Sequence, residues 1–122
     1  MSANTEYILP TVKEQIGIDS ADSAFDSTLI PAINTCFMIL KRMGVGPAKG
    51  FTITPNGNEQ WSDFMDDGPE LESVKTYVSL KAGMIFDPPS SGILAEAKKE
   101  AIKELEWSLY FEKDIMTNSE EV

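Results

Sequence analysis

Between Leu29 and Leu40 the chain reads LIPAINTCFMIL, with almost no polar side chain for a solvent face. Leu29, Ile30, Ile33, Phe37 and Leu40 recur at helical spacing, and Met38 and Ile39 fill the gaps between them. A helix that is apolar around most of its circumference has to be central, so the rest of the chain must supply what surrounds it. The helix starts near Asp22 or Asp26, whose side chains can accept a first-turn N–H, and ends near Met43, before Gly44, Gly46 and Pro47. Pro31 either lies in its second turn, at the cost of a hydrogen bond, or kinks it.

Three further helices are available to cover it. Leu9, Val12 and Ile16 give a short amphipathic helix over Tyr7 to Ile16, closed by Gly17. Pro69, at a favoured first helical position after Asp67-Gly68, opens another that carries Leu71, Val74, Tyr77, Val78, Leu80, Met84 and Ile85. It stops at FDPPSS, where Asp87 precedes a proline and so leaves α geometry, Pro88 and Pro89 enforce an extended step, and Ser90 or Ser91 caps the next helix. That last helix runs to about Lys113. Leu94, Ala97, Ala101, Ile102, Leu105 and Leu109 share one face, and Glu96, Lys99, Glu100, Lys103 and Glu106 the other. Trp107 and Phe111 fall on the flank of the apolar face, and Tyr110 well outside it.

The stretch from Val45 to Gly68 is rich in glycine and proline and reads as a long loop. Asn56-Gly57 after the alternating FTIT carries the signature of a short β-hairpin. The expected fold is therefore all-α: four helices, with a long loop between the second and third. Residues 1–114 form the helical domain, and 115–122, IMTNSEEV, form a flexible C-terminal tail.

With 122 residues there is enough chain for one core, burying roughly two-thirds of the unfolded surface, and not for two. Twenty acids against ten bases give a net charge of -10, which disfavours binding nucleic acid through its phosphates. No run approaches the roughly 20 apolar residues of a membrane span, and MSANTEYILP lacks the basic flank and apolar core of a secretory signal. The expected site of synthesis is a cytoplasm.

Few catalytic chemistries survive. Histidine is absent, so the commonest general base and zinc ligand are missing, and Cys36, the single cysteine, lies in an apolar run as a buried structural thiol without an activating partner. Asp63, Asp66, Asp67 and Glu70 could hold a divalent ion only if they converged; adjacent acids before a helix more often serve the positive end of its dipole. GVGPAKG lacks the GK[ST] of a phosphate loop. No catalytic, metal or cofactor residue is assigned. Trp61 is open to two readings, a loop indole folded back over the helices or an anchor packed against a neighbouring subunit. Candidate partner-facing residues are Trp61, Phe64, Tyr110, Phe111, Ile115 and Met116.

The combination FDSTLIPAINTCFMILKRMGVGPAKGFTI, a Trp in QWSDFM, and VKTYVSLKAGMIFDPPSSGILAEAKKEAIKELEWSL resembles the phage head-tail connector proteins, also called head completion or adaptor proteins. The similarity spans Phe25 to Leu109, and its most specific element is FDPP followed one helix later by ELEW. The resemblance implies a structural virion protein without catalysis or cofactor. It implies a homo-oligomeric ring of about a dozen copies under the portal protein at the virion neck, made in the host bacterial cytoplasm. Such a ring extends the DNA channel, lets the genome pass without specific binding, and offers a platform to a tail-side neck or tail completion protein. Relatives often carry Arg after ELEW; here Ser108 stands instead, so no role of that base is carried over.

The charge agrees independently. Basic walls would hold each passing phosphate, whereas an acidic subunit repels DNA without gripping it. Acids and polar residues of the Gly46 to Asp67 loop are the candidates for the lumen. The main rival is an acidic DNA-mimic inhibitor of a DNA-processing protein, and a second is a carboxylate-only metal enzyme.

Overall fold

A computed structural model describes residues 7–121, with side chains through Phe111. Five helices follow in order: α1 (Ile8–Gln15), α2 (Asp26–Arg42), α3 (Trp61–Phe64), α4 (Pro69–Phe86) and α5 (Gly92–Glu121). The fold is all-α, with one single-turn helix, α3, beyond the four expected from periodicity. The only β pairing among the described residues is an isolated antiparallel bridge between Tyr7 and Gln60.

The element shared by the others is α4, not α2: α1, α2 and α5 all pack against it. Val74, Tyr77 and Val78 of α4 meet Leu29, Ile33 and Leu40 of α2 in one core, with Ile8 and Val12 of α1 and Leu109 of α5 at its edges. The wide apolar circumference of α2 has a second explanation. Its remaining apolar side is covered by the loop that follows it, where Phe37 meets Phe51, Phe64 and Trp61 at ring-centroid distances of 5.0, 4.9 and 6.3 Å.

That loop is ordered without being a hairpin. Pro55 and Asn56 occupy the centre of its turn, closed by Gly57 N–H to Thr54 O at 3.0 Å, because proline is pre-set for the second position of a turn. Asn56 has no positive φ, so the two-residue turn that a tight hairpin needs does not form. The partner of the FTIT segment is a side chain. Asn34 of α2 accepts from Ile53 N–H at 2.8 Å and donates to Ile53 O at 3.1 Å, satisfying both groups as a neighbouring strand would. Gly46 permits the close approach of Phe64, whose ring occupies the place of the missing Cβ.

The Asp-rich segment before α2 forms turns rather than a helix cap: Asp19 and Asp22 accept from the N–H groups of Ala21 and Ala24, each at 2.9 Å. Asp26, in the first turn of α2, instead pairs at 2.8 Å with Lys13 of α1, whose side chain is almost fully buried. Pro31 is accommodated inside α2 on its exposed side. At the other end, α4 stops with Asp87 N–H bonded to Gly83 O, and Ser91 receives Leu94 N–H on its hydroxyl and Ala95 N–H on its carbonyl at the start of α5. Between these ends Asp87, Pro88, Pro89, Ser90 and Ser91 make the corner, and Phe86 places its ring edge-on to Phe25 at 5.5 Å.

Phe37→Ala is expected to destabilise the chain by about 3–5 kcal/mol, since it empties the position shared by α2 and the loop. Urea unfolding checks this; a loss below about 1 kcal/mol would mean that the loop is not part of the core.

Candidate assembly surface

The last helix meets the rest of the molecule along one narrow seam. Ile102 and Leu109 are its buried apolar residues among those described, with Leu105 partly buried beside them. Leu94 and Ala97, expected on the packed face, are exposed. The reason is polar. Glu106, expected on the solvated side, turns toward α4, accepts the Tyr77 hydroxyl proton at 2.8 Å and lies 3.7 Å from Lys81 Nζ. Tyr77 is fully buried, so its hydroxyl needs an acceptor, and rotating the helix to bring Glu106 inward supplies one.

The same environment makes the interior chemically inert. Burial pushes the Cys36 thiol up to about 12 against the partial relief of the Lys81 charge, and its sulfur has only a distant carbonyl, Val78 O at 3.9 Å, as a partner. Burial first, then the Glu106 carboxylate, raises Tyr77 above the ordinary phenol value. Neither group reaches an ionised, nucleophilic form near neutral pH.

Rotation of α5 leaves an aromatic face outward. At roughly 100° per residue, Trp107 and Phe111 project from the side opposite Ile102 and Leu109 rather than from the flank of the packed face. Their rings stack at 5.7 Å and 12°, and Trp107 is 67% exposed. Tyr110 and Phe111 are about half-exposed, and Ile93 at the start of the helix is almost fully exposed.

The other sequence-level candidates divide. Trp61 and Phe64 are only 2% and 4% exposed, so they have no ring surface to give a neighbour, and their expected role as anchors gives way to a core role beside Phe37. Ile115 and Met116 lie outside the described side chains. Trp107, absent from the expected interface, is the most exposed aromatic described, and its distance from the Ile102–Leu109 line on a helical wheel was the available signal.

The carboxylates of the 63–70 stretch do not converge. Asp63 accepts Gln60 N–H at 2.8 Å in the capping box of α3, and no three potential ligands cluster among the described residues. The carboxylate-only enzyme reading loses its site on that geometry. No helix is long and apolar enough to cross a membrane among the described residues.

A family model described as phage connector protein matches residues 8–115, nearly the whole described chain. Searches of curated proteins and of solved structures return no significant match.

Both buried groups make stability fall on the alkaline side. Cys36 ionises near 9.0 when unfolded and only near 12 when folded, so its contribution is full below about pH 9 and is lost as pH rises through 12. Tyr77, raised above 10.0, acts in the same direction from about pH 10 upward. Denaturant midpoints should therefore decline steadily between pH 8.5 and 11. Tyr77→Phe should lower stability by about 1–3 kcal/mol at neutral pH and flatten the steepest part of that decline. Midpoints independent of pH over this range would contradict the burial of both groups.

Proposed function

The chain belongs to the phage connector protein family, and from that premise we propose that it is a head-tail adaptor, assembling as a ring of about a dozen copies beneath the portal of a tailed phage. The match over residues 8–115 carries this reading. Two physical features support it. A subunit of net charge -10 offers passing DNA no series of phosphate grips, and the exposed aromatic face of α5 gives a small helical body something to assemble with.

In this reading the ring continues the DNA channel and presents a platform to a tail-side neck or tail completion protein. The Gly46 to Asp67 loop keeps its aromatic side chains inward, against Phe37, and turns Asn56, Asn58, Asp66 and Asp67 outward. In this reading these groups face the lumen, where the carboxylates of Asp66 and Asp67 repel phosphate. In sequence, 115–122 stand apart as a tail, whereas α5 runs on to Glu121; in this reading the end of that helix, rather than a separate tail, docks on the portal. The rival reading as a DNA mimic rests on the acidic charge alone and leaves the aromatic face unused.

Mixing the chain with portal protein from the same phage and imaging the product should show axial rings, one adaptor ring per portal. Absence of any binding would overturn the reading. In a resolved ring, a Gly46 to Asp67 loop lying wholly on the outer rim would overturn its assignment to the lumen.

A further inference from the structure

Beside the seam of α5 lies a groove of about 340 Å³, at the small end of the range for binding clefts. Met84, Ile85 and Ile102 give it an apolar lining, Lys81, Lys99 and Lys103 line it with their longer side chains, and Glu106 is the only acid among the lining residues. Three of the chain's ten bases thus line one apolar depression, each within 4.0 Å of a glutamate, Lys81 with Glu106 at 3.7 Å. Two of them are held only by exposed i,i+3 pairs, Lys99 with Glu96 at 3.8 Å and Lys103 with Glu100 at 4.0 Å. Such pairs contribute little and exchange readily for better partners.

We propose that this groove receives the Trp107 indole of a second copy of the chain. The inference rests on the ring reading and names the contact that builds the ring. Copies of net charge -10 repel one another, so association requires a place where cations of one copy meet acids of the next. Trp107 carries those acids with it: Glu100 and Glu104, both exposed, share its side of α5. The apolar lining residues suit the indole, and the lysine ammonium groups beside them suit both the ring face and the flanking carboxylates.

The occupant must come from another molecule. Trp107 projects away from α4, stacks on Phe111 of its own helix and does not line the groove of its own copy. Knob and groove use different residues, with Lys103 of the groove one turn before Trp107 on α5; a contact not returned by the same pair of copies is heterologous, repeats from copy to copy and closes into a ring when the rotation allows.

Trp107→Ala keeps the groove and loses the knob; Lys99→Glu/Lys103→Glu keeps the knob and reverses the charge of two lining residues. All three positions are exposed, so both variants should retain the helical circular dichroism of the parent. In sedimentation velocity up to millimolar concentration, the parent chain should form concentration-dependent oligomers, and each variant alone should associate at least about tenfold more weakly. Mixed in equal amounts, the two variants should form a 1:1 dimer and nothing larger, because one intact knob then meets one intact groove. Self-association of either variant at the parent's strength, a mixture that stays monomeric, or a parent chain that never associates would each overturn the proposal. Full rings of Trp107→Ala on the portal would overturn the groove while leaving the adaptor role intact. Failure of the parent chain to bind the portal would overturn the role itself.

Discussion

The structure depends on one requirement, that a helix apolar on two sides be covered on both. On one side α2 lays Leu29, Ile33 and Leu40 against α4. On the other, Phe37 draws Phe51, Trp61 and Phe64 out of the following loop. A glycine-rich stretch thereby becomes a layer of the core, and Asn34 fastens its backbone from α2 itself. Once α4 is fixed in this way, the buried Tyr77 hydroxyl requires an acceptor, and that requirement decides how α5 is rotated.

Much of this is legible in the amino-acid sequence. The apolar spacings gave α1, α2, α4 and α5, because a period near 3.6 is set by burial of one face. What escaped was decided by single polar or rigid groups. Pro55 moves the turn one residue ahead of Asn56-Gly57 and removes the hairpin. A carboxylate inside the α4–α5 seam reads, in sequence, as one more surface charge, yet Glu106 is drawn in by a hydroxyl 29 residues away. The fate of Trp61 could not be read locally either, since its burial depends on Phe37, two dozen residues earlier.

The stretch ELEW, half of the pair of motifs that carries the resemblance, shows how α5 is joined to the body. In ELEW, Glu106 points into the body and holds α5 to Tyr77 and Lys81, while its neighbour Trp107 points out. The rotation that satisfies the first exposes the second. The proposed adaptor role would use both: a body that folds as one unit, and an apolar feature left over for neighbouring copies.

The two tryptophans report on this division directly, because Trp61 is 2% exposed and Trp107 67%. Acrylamide quenching of the free chain should resolve one protected and one accessible indole, and the proposed association of copies should protect the second. Trp107 quenched equally in the free and the assembled chain would contradict the assignment of the α5 aromatic face to contact between copies.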